Sequence, residues 1–233
     1  MDITVVDRTT VSRRLALVIV LLVLLIGPNF GPVPAFLSQG LPIEGAVVAL
    51  LASFLIGFSV ILAVIMRLNP GVSVGELLRS LGLGAPSRLA ANIAGAVLGL
   101  LWGFLFLSSI LQFAPDTNIA QLNGLRILTA LMAAGGTLLE DLVTRGFLMN
   151  QMRKIGISNW VQLIISAVVF ALYHTIWGFN VFSFIFSLVY GLLLGGLFLW
   201  GKRSLTPVIL AHSLAVLISE PFASMMIFIA PGM

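Results

Sequence analysis

The chain has 233 residues, of which 60% are hydrophobic and 9% are charged. Water-soluble domains carry about 25% charged residues, so this composition excludes an ordinary soluble protein and indicates a polytopic membrane protein. The net charge of +4 contains no basic run longer than a pair, which argues against nucleic acid as a partner. The absence of cysteine excludes a thiol nucleophile and a disulfide framework.

The apolar segments predict an all-α fold with about seven transmembrane helices, because one span needs about 20 apolar residues. In chain order we place the spans at residues 15–37, 43–66, 89–113, 127–149, 159–177, 181–200 and 206–229. Between the second and third spans, the stretch GELLRSLGLG predicts one short amphipathic helix that lies along the membrane surface, with Leu77, Leu78 and Leu81 on its apolar side. We therefore expect residues 1–233 to form a single integral membrane domain.

The first span resembles a secretory signal, because three arginines precede its apolar run. The run continues past Gly27 and Pro28 to Leu37, which is long enough for a span. We predict an uncleaved first helix that is bent at Gly27-Pro28, and processing within residues 1–35 is the alternative.

The basic residues predict how the spans are oriented, since positive charge favours the cytoplasmic side. A polar connection at residues 114–126 separates the third span from the fourth. With seven spans, eleven of the twelve Lys and Arg residues fall on one side, and only Arg126 falls on the other. This count predicts that the amino terminus lies in the cytoplasm and the carboxyl terminus outside, and we expect the membrane to be a bacterial plasma membrane.

Ionisable residues interrupt three of the apolar spans. Glu140, Asp141 and Arg145 lie in the fourth span, and the only two histidines, His174 and His212, lie in the fifth and seventh. A charged side chain near the bilayer centre costs about 2.5–3.5 kcal/mol on insertion scales, so these groups should face protein or trapped water. The three spans can therefore bring them together at one buried site. A purely structural ion-pair network is the alternative for the three charges.

Helix geometry predicts different roles for the carboxylates of Glu140 and Asp141. Residues four apart share a helix face, whereas adjacent residues point about 100° apart. Asp141 is therefore predicted to pair with Arg145, as a structural ion pair or to position a substrate, and Glu140 remains available as a base. At about 1.5 Å per residue from the cytoplasmic ends of their spans, Glu140 and His174 lie level, about 20 and 22 Å deep, whereas His212 is shallower at about 9 Å.

A carboxylate and two imidazoles at one depth allow two ways to hydrolyse a peptide bond. In the first, Glu140, His174 and His212 hold a zinc ion that activates a water molecule. In the second, Glu140 and His174 activate the water without a metal, and His212 donates a hydrogen bond to the oxyanion. The chain lacks the HExxH spacing of soluble zinc proteases, and composition does not decide between the two.

Three ordered motifs fall on these residues: Glu140-Asp141-x-x-x-Arg145-Gly146, then Phe170-x-x-x-His174, then the run from Gly191 through Gly195 to Ser204-Leu205-x-Pro207-x-x-x-x-His212. They resemble the motifs of the CAAX prenyl protease and bacteriocin-processing (CPBP) family of intramembrane proteases, over a core of residues 74–220. The spacing of Gly191 and Gly195 is also one that lets membrane helices approach closely.

The resemblance implies an intramembrane endopeptidase, a metallopeptidase if zinc is bound, that acts on a lipidated protein or a leader-type peptide. Carried over residue by residue, it implies that Glu140 and His174 activate water. It also implies that Asp141 and Arg145 support the first motif and that His212 is the third-motif histidine. Besides its substrate, we expect the protein to have membrane lipid as its partner, and the oligomeric state stays open.

Two positions depart from the family pattern. Asp141 stands where a second glutamate is usual. Val216 stands four residues after His212, where the family carries asparagine or aspartate, and it can neither donate to an oxyanion nor bind a metal. Ser213 and Ser219 are neighbours that can compensate. Val216 therefore raises a second hypothesis, a catalytically impaired member that acts as a membrane adaptor or regulator, beside a third, a proton- or metal-coupled transporter.

Overall fold

The computed structural model describes residues 7–113, 123–178 and 180–229, which form an all-helical bundle without a β-strand among them. Residues 114–122 of the predicted polar connection lie outside the described residues. The ten α-helices are α1 (Arg8–Leu21), α2 (Pro32–Gly40), α3 (Ile43–Arg67), α4 (Val74–Ser80), α5 (Leu89–Phe113), α6 (Gly124–Asp141), α7 (Leu148–Lys154), α8 (Asn159–Thr175), α9 (Val181–Trp200) and α10 (Thr206–Ile229).

Five helical segments of the described chain are long and apolar enough to cross a membrane: Arg8–Phe30, Ile43–Arg67, Leu89–Gln112, Gly124–Lys154 and Val181–Trp200. The predicted integral membrane protein is therefore confirmed. Two further apolar helices, Asn159–Thr175 and Thr206–Glu220, fall short of that length. They occupy the places of the predicted fifth and seventh spans, so the count of seven stays a prediction.

The first span is bent where the sequence predicts it. After α1 the chain makes a π-helical turn, Leu22–Ile26, and a 3₁₀ turn, Gly27–Phe30, before α2 begins. Because Pro28 has no backbone N–H, it cannot donate a hydrogen bond to the preceding turn of the helix. The Val23 carbonyl in that turn accepts a hydrogen bond of 2.8 Å from the Trp177 indole. The predicted bend is confirmed, but the candidate span ends at Phe30 rather than at Leu37.

The charged helix is longer than predicted. Helices α6 and α7 are joined by a π-helical turn, Leu142–Phe147, into one helical segment that runs from Gly124 to Lys154. Every residue of this turn is buried. A π turn inserts an extra residue into a helix and is frequent at functional sites.

The short amphipathic helix is present as α4, but its apolar face packs on protein. Ser73 and Glu76 form a capping box at its start, and the Ser73 hydrogen bonds hold the pKa of the Glu76 carboxyl below its usual value. Leu77 and Leu81 are buried in the main hydrophobic core. These two leucines therefore face the core of the bundle, and the placement of α4 along the membrane surface stays a prediction.

Glycine stripes set the positions of the helices that carry the two histidines. Gly191 and Gly195 of α9 face Ala167 and Leu163 of α8, as their spacing predicts, with no room for larger side chains. A second stripe, which the sequence analysis did not single out, lies on α5. Its members Gly95, Gly99 and Gly103 face the backbone carbonyls of Pro207, Ala211 and Ala215 on α10. Such close approach is typical of small-residue packing between membrane helices.

One end of the bundle contains Arg13, Arg14, Arg153, Lys154 and Arg203, and we call it the basic end. Arg203 there donates hydrogen bonds of 3.1, 2.9 and 2.6 Å to Asn150, Asn159 and Gln162, which ties α7, α8 and the α9–α10 connection together. Burial is the main cause that lowers the pKa of the Arg203 guanidinium. The ends of α1, α3 and α7 lie at the same place. Which side of a membrane this end faces stays a prediction.

Candidate active site

The structure brings all five predicted site residues together between three helices. Glu140 and Asp141 end α6, Arg145 lies in the π turn, His174 lies near the end of α8, and His212 lies in the second turn of α10. Asp141 and Arg145 are fully buried, and Glu140 and His212 are about 6% and 5% exposed. The site is therefore enclosed by protein, as expected for charges in apolar segments.

Asp141 is held by two partners. Arg145 Nη1 donates to Asp141 Oδ1 at 3.0 Å, which is the predicted pair at four-residue spacing. His212 Nδ1 lies 3.1 Å from the other carboxylate oxygen, Oδ2. The Arg145 guanidinium also donates to Thr144 Oγ1 at 2.7 Å and lies 4.4 Å above the Phe170 ring. The two oxygens of the Asp141 carboxylate thus bridge the Arg145 guanidinium and the His212 imidazole.

Glu140 faces uncharged groups instead. The Tyr173 hydroxyl donates a hydrogen bond to Glu140 Oε1. His174 Nε2 lies 3.8 Å from the same oxygen, beyond direct hydrogen-bonding distance. Among the described residues, no arginine or lysine forms an ion pair with Glu140. The free carboxylate of the pair is therefore Glu140.

The His174 ring has a defined tautomer. Its Nδ1 lies 2.7 Å from the Phe170 carbonyl oxygen, which can only accept, so Nδ1 carries the proton and the Nε2 lone pair points toward Glu140. The rings of Phe30, Phe170 and Tyr173 surround the imidazole at centroid distances of 4.4, 4.3 and 4.6 Å. This aromatic wall restricts both the ring and the access of water.

His212 lies level with the carboxylates, and the expectation that it is shallower is wrong. The contact of 3.1 Å between His212 Nδ1 and Asp141 Oδ2 places the two side chains together. At the start of α10, Ser204 and Leu205 are fully buried and donate hydrogen bonds to the carbonyls of Ala85 and Gly82 at 2.7 and 3.0 Å. A rise counted from Thr206 along one helix does not account for the way in which α10 packs against α6.

The zinc prediction can be tested against the donor arrangement. Both histidines use Nδ1 on an oxygen and leave Nε2 free, which is a pattern common in metal sites. Within the described parts of the chain, however, no group of three or more His, Asp or Glu side chains is arranged to hold a metal ion. His212 pairs with Asp141 instead of joining Glu140 and His174. These residues do not fit a three-ligand zinc centre in this arrangement.

Val216, one turn beyond His212, packs against a small hydrophobic cluster. It is partly buried, and the cluster contains Val47, Leu51 and Ala133. Of the two serines that can compensate, Ser219 donates its hydroxyl proton to the Ala215 carbonyl at 2.9 Å. The other, Ser213, lies 3.5 Å from Thr137 Oγ1, at the limit of a hydrogen bond. Ser213 is therefore the serine whose hydroxyl is less tightly held.

Sequence reasoning missed Tyr173, which donates to Glu140 and is completely buried. A detectable signal was present. The chain has only two tyrosines, and a phenol hydroxyl in an apolar span needs a hydrogen-bond partner. The other one, Tyr190, lies with its ring 5.4 Å from His212 and donates to the Ala211 carbonyl at 3.2 Å. Both tyrosines thus pack against site residues.

Comparison with known proteins identifies the region that contains the site. Residues 122–218 match the sequence model of the type II CAAX prenyl endopeptidase Rce1-like family, and all five predicted site residues lie within this region. No curated protein and no solved structure showed a significant match to the chain. The match agrees with the resemblance in the three motifs, and residues 122–218 are thus similar to the Rce1-like family of CAAX-type prenyl endopeptidases.

Proposed function

We propose that the protein is an intramembrane endopeptidase that hydrolyses a peptide bond with a water molecule activated by Glu140 and His174. The match of residues 122–218 to a protease family supports the class of reaction. The observation that carries the assignment of residues is the separation of 3.8 Å between Glu140 Oε1 and His174 Nε2, in a buried setting. Glu140 has no cationic partner there among the described residues, so its charge is free to take a proton.

The two acceptors suit one water molecule. A water between them donates one hydrogen to Glu140 Oε1 and the other to His174 Nε2, so its lone pair is directed at a substrate carbonyl carbon. As the new C–O bond forms, Glu140 takes the water proton. When the C–N bond breaks, the same proton passes to the leaving amine, and the carboxylate is regenerated. General-base catalysis of this kind contributes about 10²–10⁴-fold to a rate.

The oxyanion is assigned to His212. Because its Nδ1–H is used on Asp141, His212 donates from Nε2 only when it carries a second proton. Asp141 orients the His212 imidazole through this contact, and Arg145 holds the Asp141 carboxylate in place. The Ser213 hydroxyl is the second donor in this proposal, in place of the amide or carboxyl that Val216 lacks.

The proposed substrates are prenylated proteins or leader-type peptides. The name of the family supports a prenylated carboxyl terminus, and the apolar, aromatic surroundings of His174 suit a substrate that reaches the site from a bilayer. A bacterial plasma membrane, a cytoplasmic amino terminus and an outer carboxyl terminus belong to the same proposal. The orientation of the two termini is supported by the grouping of basic residues at the basic end.

Reconstituted protein tests this proposal. Wild type and Glu140→Gln are placed in liposomes with a farnesylated CAAX peptide or an unmodified leader peptide, with and without a metal chelator. We expect wild type to release the terminal fragment of one substrate type, Glu140→Gln to release none, and the chelator to have no effect. Activity that the chelator removes and zinc restores would contradict the metal-free mechanism and support zinc binding at Glu140 and His174.

The apolar packing of Val216 favours one alternative, a catalytically impaired member that works as a membrane adaptor or regulator. Under this alternative, Glu140→Ala and His174→Ala keep full biological activity in cells. Under the protease proposal both variants lose it. Immunoblotting for equal membrane levels of all three proteins is the control.

A further inference from the structure

Two cavities at the basic end flank the turn after α3. One has a volume of about 70 Å³ between α4 and α7 and is lined by Asn69, Leu77, Ser80, Leu81, Phe147, Asn150, Gln151 and Lys154. The other is open to the surface, has a volume of about 340 Å³ and is lined by Thr10, Arg13, Arg14, Leu17 and Leu68. Neighbouring residues of one turn, Leu68 and Asn69, line the two cavities, so they lie side by side.

The cations of these cavities pair with no carboxylate among the described residues. Arg14 lies close enough to Lys154 for their charges to repel. Arg13, Arg14 and Lys154 form no ion pair among the described residues, whose ion pairs all lie in the candidate active site. The carboxylate of Asp7, one turn before Thr10, is used on Thr9 and Thr10 as a helix cap. An anion bound between Arg14 and Lys154 would relieve this repulsion.

The first cavity also contains an unused acceptor. Gln151 is 4% exposed, and its Oε1 has no hydrogen-bond partner among the described residues. Ser80 and Asn69 add acceptors, since the Ser80 hydroxyl proton and the Asn69 amide group are both used on backbone carbonyls. An unsatisfied buried acceptor costs about 1–3 kcal/mol, so a ligand that brings hydroxyl donors would be favoured here.

An apolar stripe leads away from the cations. Leu17, which lines the second cavity, is followed by Val20 on α1 and by Leu24 in the π-helical turn after it, and their exposed fractions are 41%, 50% and 55%. Leu17 and Val20 are three residues apart and share a face of α1, and Leu24 continues the exposed apolar surface beyond the end of α1. Such a surface suits an acyl chain whose headgroup lies at the basic end.

We propose that these two cavities bind an anionic phospholipid whose headgroup carries both a phosphate and hydroxyl groups, as in phosphatidylglycerol. The phosphate lies between Arg14 and Lys154, the headgroup hydroxyls donate to Gln151 Oε1, and one acyl chain follows Leu17, Val20 and Leu24. A zwitterionic headgroup fits less well, because the three cations repel its ammonium group. Basic pockets between helices at the cytoplasmic side are suited to anionic lipids.

Native mass spectrometry of the full-length protein in a neutral detergent tests the site. The probes are short-chain phosphatidylglycerol, phosphatidylmethanol, which has the same charge without a hydroxyl, phosphatidylcholine, and glycerol 1-phosphate. We expect wild type to prefer phosphatidylglycerol over all three. The double variant Arg14→Gln/Lys154→Gln should weaken its binding about 25-fold, at about 5-fold for each charge. The matched control Arg88→Gln/Lys202→Gln removes two exposed cations outside both cavities and should change binding less than twofold.

A second variant keeps the test independent of charge. Gln151→Leu should leave phosphatidylmethanol binding unchanged and lower phosphatidylglycerol binding to the same level. The proposal is overturned if the Arg14 and Lys154 double variant binds as wild type does, or if phosphatidylcholine binds equally well. Equal binding of glycerol 1-phosphate would overturn the lipid assignment and leave a free phosphate site.

Discussion

Glu140 and Asp141 are neighbours on one helix, yet their carboxylates have opposite surroundings. Asp141 accepts from Arg145 at 3.0 Å and lies 3.1 Å from the imidazole of His212. Glu140 accepts from the Tyr173 hydroxyl and faces the free nitrogen of His174 at 3.8 Å. One carboxylate is neutralised and fixed, and the other is kept free of cations. The rotation of about 100° between adjacent helical residues is enough to produce this division.

The difference teaches how a membrane protein can place a base beside a buried cation without pairing the two. Arg145 needs a carboxylate, because an unpaired charge buried in a bilayer protein is costly. Asp141 fills this need at four-residue spacing, so Glu140 does not have to. Variants that change Glu140, Asp141 or a partner one at a time separate the two roles.

Loss of the free carboxylate should have the largest effect. Glu140→Gln keeps the shape of the side chain but removes its ability to take a proton, so we expect peptide hydrolysis to fall by about 10²–10⁴-fold. Thermal unfolding should change little, since Glu140 forms no ion pair with arginine among the described residues. Glu44→Gln, at an exposed carboxylate of α3, is the control. Hydrolysis within a factor of ten of wild type would contradict the role of base.

Loss of the fixed carboxylate should act on stability instead. Asp141→Asn leaves Arg145 buried without a counter-charge, and we expect it to lower the free energy of unfolding by about 3–5 kcal/mol in a denaturant titration. Adding Arg145→Met removes the unpaired charge and should recover much of this loss. If the single and double variants were equally unstable, the Asp141–Arg145 pair would not be the cause.

Loss of the Tyr173 hydroxyl, which donates a hydrogen bond to Glu140, should have an intermediate effect. Tyr173→Phe removes one hydrogen bond to a charged group, worth about 1.5–3 kcal/mol, so we expect hydrolysis to fall about 10- to 100-fold. Tyr190→Phe is the matched control, because its hydroxyl donates to a backbone carbonyl and not to a carboxylate. Equal losses from the two variants would indicate general packing rather than placement of Glu140.

The smallest effect should come from a substitution on α5, which packs against the His212 helix, α10. A Cβ atom at Gly99 would lie 2.5 Å from the Ala211 carbonyl oxygen, so Gly99→Ala should push α10 away from α5 and cost about 1–3 kcal/mol of stability. Gly196→Ala, where a Cβ meets nothing within 4 Å, is the control. Circular dichroism melting compares the two, and equal melting temperatures would show that the α5 stripe does not set this distance.

Local rules predicted much of the fold and part of the site. The bounds of α9 agree with the predicted span 181–200, because Asn180 caps its start and the chain turns at Gly201. The Asp141–Arg145 pair follows from helix spacing alone. The π turns at Leu22–Ile26 and Leu142–Phe147 were not predictable in the same way, since they depend on tertiary partners such as Trp177. The contact of His212 with Asp141 depends likewise on the packing of α10 against α6.

The most direct test of the central claim is mass-spectrometric profiling of peptide termini in membranes from cells that lack this protein. The cells are complemented with wild type or with Glu140→Gln at equal levels. We predict new termini that appear only with wild type, which would identify the cleaved proteins and show that cleavage depends on Glu140. Identical termini in both samples, with the variant still rescuing the cells, would contradict the proposed protease and leave the site a structural one.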